Sequence, residues 1–284
     1  MNAAREFATR LFAQPWHLWM GQTSTIVRME TRKNFFTRRG FWVYLLAFAP
    51  VAIIIIHALV DKGSNMKEDT EVLAVIFHFY YLRLAIFFGC MGIFTRLFRG
   101  EMIQRSLHYY LLAPIRREVL VVSKFLAGCI SAMAIFGLAI SSAFLLMYLH
   151  YGPRGLQYVF DGPGLGQLAA YLGIMALACV GYGSVFLAFS MVFRNPIVPG
   201  IVLLGWEAIN PVLPPTMQKL SVIFYLRHLT PVDFRTEGLF ALLAVVTDPV
   251  PAWAAVFGLL ILALVVLTYS CLRVRSLEIN YTTD

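Results

Sequence analysis

Charge is scarce in this chain. Of its 284 residues, 15 are acidic and 23 basic, so charged side chains make up 13% while hydrophobic ones make up 60%. Mean hydropathy is +0.74. A soluble domain carries a charged fraction of about 25%, so composition excludes a freely soluble enzyme or adaptor. Cysteine is rarer still. Cys90, Cys129, Cys179 and Cys271 are widely spaced, with no CxxC pair, which excludes a disulfide framework and a thiolate metal site. The six histidines form no ligand-spaced cluster. No GxxxxGK[ST] phosphate cradle is present, so the chain cannot hold nucleotide in the P-loop manner. Internal repeats and low-complexity tracts are missing too. No cleavable signal peptide is expected, because the first apolar run begins only after about 40 residues, behind a basic stretch.

Long apolar runs are abundant. The hydrocarbon layer is about 30 Å thick and needs roughly 20 apolar residues in a helix. Six runs meet or approach this length: 41–60, 72–95, 119–149, 165–193, 197–215 and 252–272. They are too long for barrel strands and lack strict alternation. The expected fold is an all-α membrane protein of six spans. The fifth run is the weakest, since it carries Glu207, Asn210, Pro199, Pro211 and Pro214. The cysteines all fall within these runs and read as small apolar core residues.

Lysine and arginine orient the bundle. With six spans both termini share one side, which holds sixteen basic residues against six on the other, while Arg83 lies inside a span. That bias places both termini in the cytoplasm, and the net charge of +8 reads as topology and lipid contact, with no nucleic-acid partner. Residues 1–39 read as a cytoplasmic or interfacial amphipathic segment. Phe7, Leu11, Phe12, Trp16 and Trp19 recur at near-helical spacing among basic residues, Pro15 should interrupt the helix, and Ser24 or Thr25 should cap a second piece. Residues 40–273 form the transmembrane domain and 274–284 a cytoplasmic tail. The glycines and prolines of 152–164 predict turns, and Arg194-Asn195-Pro196 a tight turn. Within 216–251, two half-length apolar stretches predict an outer re-entrant or interfacial hairpin before the sixth span.

The loop 99–118 carries the strongest functional signal. Leu107, Tyr110, Leu111 and Leu112 are expected on one apolar helical face, with Glu101, Gln104, Arg105 and His108 largely on another. Pro114 should end that helix, and Arg116, Arg117 and Glu118 open the next. Short amphipathic helices of this kind dock by apolar anchors with a charged rim. The bland alternative is a solvated basic loop.

In its order of residues, this loop resembles the permeases of type-2 ABC exporters. Glu101 is followed by Arg105-Ser106-Leu107, then Leu111-Leu112-Ala113-Pro114, Arg116-Arg117-Glu118 and Lys124 entering the third span. His108 departs from the pattern, which often has Glu there. The resemblance covers essentially the whole chain. It implies an export or extraction permease of the bacterial inner membrane, working as a homodimer or heterodimer of membrane subunits. Two copies of a separate ABC ATPase would bind the ATP and Mg, and this chain would hold no cofactor. The loop helix would couple the two parts.

Arg83 and Glu207 are ionisable residues well inside their apolar runs. Each costs roughly 2.5–3.5 kcal/mol at mid-bilayer, so each should face protein or water. They are candidates for the translocation path, as an ion pair, or for structural glue between helices. His57 and His78 read as hydrogen-bonded structural residues, and Phe77, Phe79, Tyr80 and Tyr81 as packing or an interfacial belt. The glycines of GCMG, GYG and VPG should permit close helix contact. A secondary transporter should show paired half-repeats, and a membrane enzyme clustered acids and bases; neither pattern is found. A non-transporting scaffold or mechanotransmission subunit stays open.

Overall fold

The computed structural model describes residues 15–36, 40–60, 65–104, 106, 110, 112, 115–227, 229–230 and 251–275. These are helical almost throughout, with no strand among them. We number the helices α1 (Trp16–Phe36), α2 (Phe41–Val60), α3 (66–103), α4 (Arg117–Leu149), α5 (Pro153–Phe160), α6 (Gly164–Val192), α7 (Ile197–Ile209), α8 (Pro215–Gln218), α9 (Val222–Arg227) and α10 (Ala252–Arg275). Five of them, α2, α3, α4, α6 and α10, are long and apolar enough to cross a membrane. The expected fifth span is shorter than its apolar run. α7 has only 13 residues and ends in a 3-10 turn at Asn210–Val212. Its rise is about 20 Å, short of the hydrocarbon thickness, because Pro211 and Pro214 stop the helix.

α4 and α6 form the centre. α6 packs against α3, α4 and α10, and α2 packs against α3 and α4. α2 and α10 are peripheral, since only 28% and 22% of their apolar windows are buried against 61% for α6. Close approach uses glycine at Gly89 and Gly183, as expected, and also at Gly128. The ring of Phe94 lies where a side chain on Gly128 or Gly183 would sit, and Phe136 fills the notch at Gly89. Cys90, Cys129 and Cys179 are free and buried.

The first helix departs from the expected cap at Ser24 or Thr25, while Phe7, Leu11 and Phe12 lie outside the described residues. It starts directly after Pro15 and runs unbroken through Ser24 and Thr25, with Thr25 Oγ1 bonding back to the Gly21 carbonyl. Proline is tolerated at a helix start. Nor does α1 cross its neighbour like a helix lying flat: it tracks α4 in the same direction. Trp19 meets Arg116, Glu30 meets Lys124, and Asn34 Nδ2 donates to Ser131 Oγ at 3.1 Å. Between the third and fourth spans, Gly152 turns the chain with φ +63°. The segment then forms α5, with Gly155 inside a helix rather than a turn. The turn at 194–196 is as expected, with Asn195 Oδ1 accepting from the Ile197 N–H at 3.2 Å. Of the outer hairpin, the first arm is α9, buried against α3, α6 and α10; the second lies outside the described residues.

Two wide π-helical turns interrupt α3, at Ile76–Ala85 and Arg96–Gly100. The first aims Tyr80 and Tyr81 at α2. Pro50, inside α2, has no N–H for the carbonyl of Leu46. Tyr80 OH donates to that carbonyl at 3.0 Å, and Tyr81 OH to the carbonyl of Ala47 at 3.1 Å. Neighbouring helices must satisfy backbone groups freed by proline in lipid. Tyr80 therefore satisfies the carbonyl that Pro50 leaves free, a role beyond packing or a belt, and Tyr81 adds a second bond beside it. Tyr80→Phe should cost about 1 kcal/mol, and close to nothing in a Pro50→Ala background, where residue 50 regains its N–H. Equal costs in both backgrounds, measured by unfolding in detergent, would rule out the link.

Candidate functional site

At the end of the bundle where α1, the last turn of α3, the first turns of α4 and the C-terminus of α10 meet, four charged side chains converge. Glu30 and Lys33 lie one turn apart on α1. Glu101 lies just past the second wide turn of α3, and Lys124 on the second turn of α4. Lys124 Nζ is 3.0 Å from Glu30 Oε1 and 2.8 Å from Glu101 Oε2. Lys33 Nζ is 2.9 Å from Glu101 Oε1 and 3.8 Å from Glu30 Oε2. Tyr110 OH donates to Glu30 Oε1 at 2.9 Å. The rings of Tyr110 and Phe98 lie 4.8 and 5.5 Å from the Lys124 ammonium.

The group is charge-balanced and deep. Lys124 is fully buried at 0% exposure, and Glu30 and Glu101 are at 1%. Burying an ion costs several kcal/mol unless partners and hydrogen bonds compensate it, and here every charge has at least one opposite charge in reach. Burial opposes ionisation of Glu30, but Lys124 and Lys33 together outweigh it and hold the carboxyl below its ordinary range. Burial likewise opposes the Lys33 charge, but Glu101 and Glu30 outweigh it and raise its pKa. The Tyr110 phenol is pushed up by burial and by the adjacent carboxylates of Glu30 and Glu101, so it stays a donor. A pocket of about 100 Å3, lined in part by Lys33, Asn34, Arg96 and Gln104, flanks the network. It has polar groups on its wall and is roomy enough to admit water.

Around this centre the loop residues divide. Tyr110 points inward, whereas Leu112 is 80% exposed, so the two do not share one face. Two residues apart on a helix point to opposite sides. Arg105, Leu107, His108, Leu111 and Pro114 lie outside the described residues. Arg116 lies over the Trp19 ring at 4.6 Å. Arg117 Nη1 donates to the carbonyls of Val274 and Arg275 at 3.2 and 2.9 Å, and Glu118 pairs with Arg275. The exit of the loop is thereby tied to α1 on one side and to the end of α10 on the other.

Arg83 and Glu207 do not meet. No contact within 4.0 Å joins them, and the Arg83 guanidinium instead lies 5.4 Å from the Phe79 ring centroid. Their expected ion pair is absent because the Glu207 carboxyl is spent on backbone. Oε1 accepts from the Val222 N–H at 3.0 Å, and Oε2 from the Ile223 N–H at 3.0 Å and Ser221 Oγ at 2.7 Å. Tyr182 OH adds a fourth, long contact at 3.5 Å. Glu207 thus caps α9 and clips it to α7.

At the opposite end, buried Asp69 receives His57 Nε2 at 3.2 Å and Tyr151 OH at 2.9 Å, with His150 Nε2 at 3.7 Å. It fastens the ends of α2, α3 and α4. His57 is a hydrogen-bonded structural residue, as its sequence setting predicts. Among the described residues no group of three or more His, Cys, Asp or Glu is placed to hold a metal ion.

Sequence reasoning marked Glu101 and Lys124 but missed Glu30, Lys33 and the Tyr110 phenol as their partners. The available signal was Lys124 itself, a cation in an apolar run that required an anion from elsewhere in the chain.

The described residues thus form an all-helical bundle with five helices long and apolar enough to cross a membrane and a charge-balanced cluster buried at one end. Residues 26–205 match the model of the ABC-2 family transporter protein, which spans more than half of the chain. The chain belongs to this family of ABC transporter permeases, whose members in general work with an ABC ATPase. No curated protein matches the sequence.

Proposed function

We propose that the chain is the permease subunit of an ATP-driven exporter in the bacterial inner membrane, with both termini cytoplasmic. Two permease subunits, identical or not, pair with two copies of a separate ATPase, which holds the ATP and Mg. The substrate is an amphipathic or lipid-like molecule, a reading that rests on the aromatic-rich apolar interior. The observation that carries the coupling role is the buried network. It joins α1, the entrance of the loop and α4 through Lys124, while Leu112 faces outward beside it. Closure of the ATPases pushes the loop. The network transmits the push to α1 and α4 together, because displacing one member alone would strand a buried charge. Arg117 and Glu118 link the same movement to α10. Arg83, which is half-buried within α3, is the described candidate for the path; Glu207 contributes to it by fixing α9.

Leu112→Asp tests the docking role. Its side chain is exposed, so the substitution leaves the fold intact, and surface changes of this kind stay within about 0.5 kcal/mol. Tagged wild-type chain, gently extracted, should bring down an ATPase in stoichiometric amount, and the variant should lose it at least tenfold. Purification of the wild-type chain without any nucleotide-binding partner would overturn the proposal.

A further inference from the structure

A second feature of the basic end takes no part in the network. α1 and the first turns of α4 leave between them an open cleft of about 910 Å3. Its α4 wall is the stripe Val122, Leu126 and Ile130, all at 40% exposure or more, and the same stripe continues upward to exposed Leu138. Spacing of four residues keeps these on one helix face. Its α1 wall carries Arg28 and Arg32, also four apart, both exposed and forming no ion pair with a described residue. The acid on the cleft, Glu118, is paired with Arg275.

The level of the cleft follows from helix length. α4 has 33 residues, about 50 Å of rise, which exceeds the hydrocarbon thickness of about 30 Å. Counted from His150, fastened at the opposite end, the roughly 20 residues needed to cross reach Ile130. The cleft therefore lies in the headgroup zone of the basic end, and Leu138 lies in hydrocarbon. Through the matching of Glu30 to Lys124 and Asn34 to Ser131, Arg32 stands just below that boundary and Arg28 one turn further down.

From this arrangement we infer that the cleft is a binding site for an anionic phospholipid of the leaflet at the basic end. Its phosphate sits between Arg28 and Arg32, and its acyl chains run along Leu126, Ile130 and Leu138. Basic residues beside an apolar groove at this depth recognise anionic headgroups. One lipid molecule satisfies both the guanidinium pair and the apolar stripe. A docked soluble helix would cover the lower half and leave Leu138 uncovered. The lipid would brace α1 against α4 from outside while the network ties them from within.

The test uses the full-length chain with whatever subunits co-purify. Bound lipid is titrated by native mass spectrometry with chain-matched phosphatidylglycerol and phosphatidylcholine. Phosphatidylglycerol should bind about tenfold more tightly or better, given two arginines in reach. The Arg28→Gln/Arg32→Gln variant should lose that preference and Arg28→Lys/Arg32→Lys keep most of it. Arg154→Gln, which removes a charge at the opposite end, should change nothing. Absence of a headgroup preference, or an equal loss with Arg154→Gln, would overturn the site. So would a photo-crosslinker at position 126 that captures a polypeptide, whether a second copy or another subunit, in place of lipid in native membranes.

Discussion

Lys124→Met should be the most damaging substitution in the chain, costing about 3–5 kcal/mol, the range measured when one partner of a buried ion pair is removed. Loss of the ammonium leaves Glu30 and Glu101 facing each other, with only half-exposed Lys33 to balance them. The ring faces of Tyr110 and Phe98, now beside carboxylates, turn from favourable to unfavourable neighbours. A fall in Tm in detergent on the order of 10 °C is expected. Lys124→Met combined with Glu101→Gln should be milder than Lys124→Met alone, because Glu30 and Lys33 then balance one for one. If the two losses simply add, the four charges do not act as a unit. Function separates from stability in the same variant. Leu112 is untouched, so the ATPase should still co-purify, while its hydrolysis no longer drives transport in vesicles. Loss of ATPase binding with Lys124→Met would place the network in docking and not in transmission.

The second large effect is expected at Glu207. Glu207→Ala removes the acceptor of two buried N–H groups and a buried hydroxyl at once. Each buried donor left unsatisfied costs roughly 1–3 kcal/mol, so a total of about 3–5 kcal/mol is expected. The damage should be local first. Ile223→Cys, buried in the native protein, should become reactive to maleimide in the Glu207→Ala background, because α9 loses its tether to α7. Glu207→Gln keeps one carbonyl acceptor and should retain about half of the stability. Arg83→Gln should reproduce neither effect, since no ion pair joins the two residues. Matching phenotypes for Arg83→Gln and Glu207→Gln would restore the case for a functional pair on the translocation path.

What the sequence made legible follows from the range of each interaction. α2, α4, α6 and α10 were readable because an uninterrupted apolar run is a local property, decided within 20 residues. The shortness of α7 was not, although its prolines stood in view, because apolar residues continue past the point where the backbone stops being helical. In the loop, Glu101 and Lys124 were visible through their order in the chain. Glu30 is 94 residues from Lys124 and lies in a segment that read as an interfacial leader, so only packing could bring them together. The expected shared face of Tyr110 and Leu112 is absent for a simpler reason: the Tyr110 hydroxyl needs a partner when half-buried and finds Glu30, which turns its ring inward. Pro50 and Tyr80 were likewise each conspicuous alone, and only the fold shows that one answers the other.

The wide turns of α3 have a mechanical consequence. A regular α-helix behaves as a stiff rod, and its stiffness resides in the uninterrupted ladder of bonds from each N–H to the carbonyl four residues back. α3 leaves that ladder over 15 of its residues, where the bonds run instead to the carbonyl five back, and these two segments, one at mid-membrane and one just before Glu101, are its joints. α4 contains no proline and runs as 33 residues of unbroken ladder. On the proposed coupling role, a force applied at the loop is taken up by flexure along α3 and carried along α4, so the third span acts as the piston and the second as its suspension.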